Sequence, residues 1–141
     1  MSLKDVVIKI SSVHGLEEGG EDRIEFTTDG VYAYEDGTGY LSYMESEVTG
    51  LAGTQTSLEI RPDEVVVDRR GSITSRMVFR RGEKNCFQYE TPFGMATMGM
   101  ATKKISHDFN ARGGRMVIDY VLDLEHAVVE RSRFTLDVRE Q

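Results

Sequence analysis

From Met116 onward the chain alternates with a period of two. Met116, Ile118, Tyr120, Leu122 and Leu124 fall on one parity and Asp119, Asp123 and Glu125 on the other. Successive side chains of a strand point to opposite faces, so this pattern predicts a β-strand that is buried on one side and wet on the other. The same period recurs along the chain. Val6, Ile8 and Ile10 share a face, as do Ile24 and Phe26, then Thr54, Thr56, Leu58 and Ile60, then Met77 and Phe79. Further on come Phe87, Tyr89 and Thr91, then Ala96, Met98, Met100 and Thr102, and finally Phe134, Leu136 and Val138. No segment holds a helical period for more than two turns.

Turn signals separate these runs. They are the acidic stretch Gly15 to Asp22, Asp29-Gly30, Asp36-Gly37-Thr38-Gly39, Thr49 to Gly53, and Pro62-Asp63. After them come Arg70-Gly71-Ser72, Gly82 to Asn85, Pro92-Phe93-Gly94, Arg112 to Arg115 and a turn near His126-Ala127. Glycine accepts the positive φ of tight hairpins, as in Asp36-Gly37-Thr38-Gly39, and the longer stretches Gly15 to Asp22, Thr49 to Gly53 and Arg112 to Arg115 are read as loops. Asp29-Gly30 accordingly predicts a bend or tight turn before Val31. Ile105 falls on the opposite parity from Thr102, which predicts a β-bulge near Lys103-Lys104 or the end of the strand.

Composition agrees. The chain has 14 Val, 7 Ile and 11 Thr against 8 Leu and 6 Ala, and β-branched side chains suit a pleated surface better than a helix. A length of 141 residues suits one domain, taken as residues 1–141. The fold class is therefore all-β: an antiparallel up-and-down meander of about ten strands joined by short connections. A flat sheet of that width would leave two edges bare, and closure removes them. Short connections do not supply Greek-key crossovers, so the sheet is expected to close into a barrel with room for side chains or a small ligand.

Charge and cysteine content exclude several functions. The formal net charge of −7 disfavours nucleic acid and anionic membrane as partners. Its distribution is uneven: residues 1–60 hold 12 acids and 3 bases, 61–115 hold 6 and 11, and 116–141 hold 6 and 3. Barrel closure would bring the acidic ends together, with the basic middle across from them. The single cysteine, Cys86, forms no intramolecular disulfide and no zinc ribbon, which suits a reducing compartment. Charges at Lys4, Asp5 and Lys9 interrupt any secretory h-region, and the longest aliphatic run is Val65-Val66-Val67. A cytoplasmic protein is expected, and Met1-Ser2-Leu3 also reads as an expression leader.

Residues able to carry chemistry are sparse. His14, His107 and His126 lie near strand ends with no metal-ligand spacing, and are read as solvent-exposed loop histidines. Met95, Met98 and Met100 could offer soft sulfur to Cu(I), but filling gaps in a β core is the commoner use of methionine. Among Arg69, Arg70, Arg76, Arg80 and Arg81, the pair Arg76 and Arg80 opposes Met77 and Phe79 and so should face solvent. A register shifted by one would turn Arg76 and Arg80 into the barrel as a clamp for carboxylate or phosphate. No nucleophile elbow, phosphate loop or dinucleotide fingerprint occurs. No catalytic residue, metal site or cofactor is assigned.

Tyr40-Leu41-Ser42-Tyr43-Met44-Glu45, Thr54 to Ile60, Arg69-Arg70-Gly71, Tyr89 to Gly94, Thr102 and Gly114 to Leu122 follow one another in order along the chain. Together these stretches resemble the YwiB-like family of small uncharacterised bacterial proteins. The resemblance spans nearly the whole chain. It implies a lipocalin-like, calycin-type β-barrel, in agreement with the meander, and brings no catalytic residues with it. The expected function is non-catalytic binding of a small apolar or amphipathic molecule inside the barrel, by a monomer or homodimer. The expected lining is Met77, Phe79, Phe87, Tyr89, Met98, Met100, Tyr120 and Leu122. The alternative is an interaction or scaffold protein with a filled barrel. An enzyme, the third choice, would need a polar cluster in the barrel mouth.

Overall fold

A computed structural model describes residues 2–16, 20–92, 94–124 and 127–141. Ten strands follow one another: β1 Lys4–Leu16, β2 Glu21–Glu35, β3 Thr38–Met44, β4 Gln55–Ile60 and β5 Val65–Arg70, then β6 Ser75–Phe79, β7 Lys84–Thr91, β8 Gly94–His107, β9 Gly113–Leu124 and β10 Ala127–Glu140. A 3-10 turn, Glu47–Thr49, lies between β3 and β4. The sheet order is β6-β5-β4-β3-β2-β1-β10-β9-β8-β7, so chain neighbours are sheet neighbours and β1 meets β10. This is the up-and-down meander that the alternation predicts. Its two terminal strands, β6 and β7, are themselves consecutive and nearly close the barrel. There the ladder shrinks to one bridge, Thr74 with Glu90, whose two backbone hydrogen bonds are both 3.0 Å. Towards the other end of the β6–β7 seam the Asn85 side chain donates to the Val78 carbonyl at 3.0 Å, a side-chain substitute for a missing backbone bond.

Two details test the parity argument. The register of β8 against β9 shifts between Thr102 and Lys104, and Ile105 is thereby returned to the interior, where it is buried. Asp29-Gly30, in contrast, is no turn. β2 runs straight through it because β1 pairs along its length, from Gly15 with Glu21 to Lys4 with Tyr32. Gly30 is there for close approach: a Cβ on it would lie 2.5 Å from Ile8 Cδ1 and 2.6 Å from the Ser42 carbonyl oxygen.

Strand lengths divide the wall. β1, β2, β8, β9 and β10 have 12 to 15 residues, and β3 to β7 have 5 to 8. The antiparallel order sends the β2–β3, β4–β5, β6–β7 and β8–β9 connections to one end and the remaining connections to the other. The first end is plugged. Phe109, in the β8–β9 connection, is buried beside Tyr32 with ring centroids 5.9 Å apart, and the Tyr32 hydroxyl donates to the Asn110 carbonyl at 2.7 Å. Burial pushes the Tyr32 phenol up to about 12, so it stays protonated and keeps donating. Behind this plug Val6, Ile8, Leu41, Ile60, Met116, Ile118, Leu136 and Val138 form a solid core.

Outside the barrel, charges pair across strands. Arg133 grips Asp119 through two bonds of 2.7 and 3.1 Å. The Arg133 hydrogen bonds hold the Asp119 carboxyl below the ordinary Asp range. A depressed carboxyl stabilises the fold above its unfolded pKa and loses that stabilisation as pH falls through its folded value. Arg133→Ala should therefore lower the urea midpoint slightly at neutral pH, with the difference from wild type vanishing in strong acid. A difference that persists unchanged in acid would show that the pair contributes packing rather than charge. Among the described residues, no helix is long and apolar enough to cross a membrane.

Candidate functional site

The end opposite the plug is hollow. A cavity of about 370 Å³ opens between the tall wall and the short one. Its apolar lining includes Ile10, Ile24, Phe26, Leu58, Val67, Ile73 and Phe134. Six residues expected from sequence also line it: Met77, Phe79, Phe87, Met98, Tyr120 and Leu122. Phe79 and Tyr120 meet edge to face at 5.1 Å, which fixes the orientation of both rings. Met100 does not reach the cavity; it is fully buried in the core. The side chain of Tyr89 lies outside the described ones.

Arg76 and Arg80 face solvent, as their parity opposite Met77 and Phe79 predicts, and the inward clamp that a shifted register would have made is overturned. Ser75, Met77 and Phe79 take the inward positions of β6. Arg76 is exposed and paired with Asp68 at 2.8 Å, and Arg80 is exposed and paired with Glu64 at 3.4 Å. The inward guanidinium is that of Arg69, which continues the row of Val65 and Val67 on β5.

Arg69 faces Glu45, whose side chain is only 2% exposed, with Nε to Oε1 at 3.9 Å. Glu45 extends the inward row of Leu41 and Tyr43 just past β3, and both of its oxygens are satisfied. Thr56 donates to Oε1 at 2.7 Å and Thr49 donates to Oε2 at 2.9 Å. The 3-10 turn positions Thr49, and Ser46 caps that turn by accepting from the Val48 amide at 3.2 Å. Burial, reinforced by the nearby Glu45 charge, pushes the Tyr43 phenol well above its ordinary range. Arg69 Nη1 points at Met77 Sδ at 3.6 Å, while Arg69 Nε is buried with no hydrogen-bond acceptor. A buried donor left unsatisfied is costly.

A second polar group sits where β1 meets β10. His14 lies opposite Ser132 in the ladder, and both are at least partly buried. His14 Nε2 is 2.8 Å from Ser12 Oγ, and His14 Nδ1 is 2.9 Å from Ser132 Oγ and in contact with a Glu130 carboxylate oxygen. Ser132 donates to that same Glu130 oxygen at 2.9 Å. A neutral imidazole has one N–H, and the carboxylate can only accept, so the proton belongs on Nδ1 and Nε2 accepts from the Ser12 hydroxyl. Tyr120 lies within electrostatic reach of both polar groups, Arg69 on one side and Ser132 and Glu130 on the other. Burial raises the Tyr120 phenol, which leaves it a donor.

These histidine contacts correct the expectation of loop histidines. His14 belongs to a strand and lines the cavity; His107, at the end of β8, is partly buried with Nε2 2.8 Å from the Arg61 carbonyl. His126 lies outside the described residues. The polar rim could have been read from the sequence by extending each apolar row past its last hydrophobic residue. Ile8 and Ile10 lead to Ser12 and His14, Tyr43 leads to Glu45, Val67 leads to Arg69, and Phe134 leads back to Ser132 and Glu130.

Known proteins share this architecture. The chain is 31% identical over 104 residues to a protein described as uncharacterized beta-barrel protein YwiB from Bacillus subtilis strain 168, a match covering 74% of this chain and 72% of that one. The crystal structure of ywiB protein from Bacillus subtilis superposes with a TM-score of 0.87 at 25% identity, covering 99% of this chain and 93% of that chain. Residues 8–136 match the model of the domain of unknown function DUF1934, and with that span of the barrel accounted for, the chain belongs to the DUF1934 family.

Proposed function

We propose that the protein binds a small amphipathic molecule whose apolar part fills the barrel and whose polar head reaches the rim. One observation carries this: the barrel is solid at its plugged end and hollow at the other, with a cavity of about 370 Å³ lined mainly by aliphatic, aromatic and methionine side chains. That volume is in the range of small-molecule sites. A filled scaffold barrel would have no such space. Charge bookkeeping selects the head. Glu45 is matched in charge by Arg69, Glu130 accepts from the Ser132 hydroxyl and the His14 Nδ1–H, and the Arg69 Nε–H is a rim donor with no acceptor. An uncharged acceptor such as a carbonyl oxygen suits that donor without unbalancing the rim. The one thiol, Cys86, is exposed and unpaired, which favours a reducing compartment such as the cytoplasm.

The neutral dye N-phenyl-1-naphthylamine is expected to brighten and shift to the blue on titration with the protein. Leu122→Trp, which fills the cavity from a partly exposed wall position, should weaken this binding by roughly tenfold or more while leaving the circular dichroism unchanged. Equal dye binding by wild type and a folded Leu122→Trp variant would locate the dye elsewhere and defeat the proposal.

A further inference from the structure

We propose that the rim is also an esterolytic centre, with Ser12 as nucleophile, His14 as its general base and Glu130 as the residue that positions His14. This rests on the binding proposal, because the substrate is an ester of the neutral amphipathic class the cavity would hold. Three observations converge on it. Ser12 Oγ is 2.8 Å from His14 Nε2, within the reach a base needs to take the hydroxyl proton. The other ring nitrogen contacts Glu130, whose carboxylate fixes the tautomer that leaves Nε2 basic. Both Ser12 and His14 line the cavity, where an acyl chain would lie among Met77, Phe79 and Leu122.

The chemistry balances with water as the only co-reactant. Ser12 Oγ attacks the ester carbonyl carbon while its proton passes to His14 Nε2, and the carbonyl oxygen takes up the negative charge. The unsatisfied N–H of Arg69 and the protonated Tyr120 hydroxyl are the donors on the cavity wall available to such an oxyanion. Collapse breaks the bond to the alkoxide, which leaves as an alcohol with the proton from His14. Water, deprotonated by His14 Nε2, then attacks the acyl carbon; the bond to Ser12 Oγ breaks as His14 returns the proton to that oxygen, and the carboxylic acid departs. Ser12 sits within a regular strand, not on a strained elbow, so the general-base contribution is the main acceleration, roughly a hundredfold or more.

The test uses the full-length protein with p-nitrophenyl butyrate as substrate and an alkyl fluorophosphonate as label. The expected result is one phosphonyl adduct, formed with loss of fluoride and mapped to Ser12, together with p-nitrophenolate release that falls about a hundredfold in Ser12→Ala. Glu130→Gln should lower kcat with little change in KM and slow the labelling of Ser12, a split that mere loosening of the fold would not produce. Displacement of N-phenyl-1-naphthylamine by p-nitrophenyl butyrate, followed in Ser12→Ala, reports binding separately. If the ester displaces the dye but wild type shows no adduct at Ser12 and no Ser12-dependent release, the esterolytic proposal is overturned and the binding proposal stands. If the ester displaces nothing and is not turned over, both fall. An adduct on Ser132 or elsewhere also overturns the assignment.

Discussion

Ile118→Ala should cost about 3–4 kcal/mol, while Leu122→Ala, four residues along the same face of β9, should cost about 1 kcal/mol. Ile118 has no exposed surface and packs in the plugged half of the barrel, so its truncation leaves a void that the surrounding β-branched core cannot collapse to fill. Leu122 already borders the cavity on one side. Its truncation enlarges an existing space, and only the burial of part of one side chain is lost. Urea unfolding of the two variants, with unchanged m-values, measures the contrast directly. Equal losses would mean that the mouth is as tightly packed as the plug, and the cavity on which the binding proposal stands would be lost.

The barrel was legible because its signal is redundant. Ten strands each repeat the same parity rule, and a register error in one would have put charged residues in the core. The parity break at Ile105 allows a bulge or a strand end, and the structure has the bulge: the β8 register shifts between Thr102 and Lys104 and Ile105 is buried. Gly30 misled because glycine has two uses that a sequence does not separate. A turn needs its positive φ, whereas here the strand needs its missing Cβ beside Ile8 and Ser42. The rim was harder for a different reason. Parity places Glu45, Arg69 and His14 on inward rows, but polar residues at strand ends ordinarily signal that burial has stopped. What kept these three inside is a set of partners from elsewhere in the barrel: Thr56 on β4 for Glu45, Glu45 in turn for Arg69, and Ser132 and Glu130 on β10 for His14. Such pairings depend on register between strands distant in sequence. Arg76 and Arg80 attracted attention through their density, yet density on a strand face mostly records which face is wet.

Arg69→Met is expected to destabilise the protein by about 2 kcal/mol, and adding Glu45→Gln should recover most of that loss. The single substitution leaves the hydrogen bonds from Thr49 and Thr56 to Glu45 intact but removes its matching charge. An almost completely buried carboxylate then stands uncompensated. Losing one partner of a fully buried pair costs roughly 3–5 kcal/mol. Arg69 is 21% exposed and its Nε is 3.9 Å from Glu45, so a smaller figure applies. Glutamine in place of Glu45 keeps an acceptor for one threonine and carries no charge to strand. A double-mutant cycle should therefore give a coupling of at least about 1 kcal/mol between the two positions. The same cycle bears on the ligand. If the coupling is near zero, Arg69 does not neutralise Glu45, its positive charge is free to meet an anion, and the preferred head becomes a carboxylate instead of a carbonyl. Coupling of the expected size keeps the Arg69 and Glu45 charges matched to each other, and an incoming molecule is then recognised by its apolar body and a single uncharged acceptor.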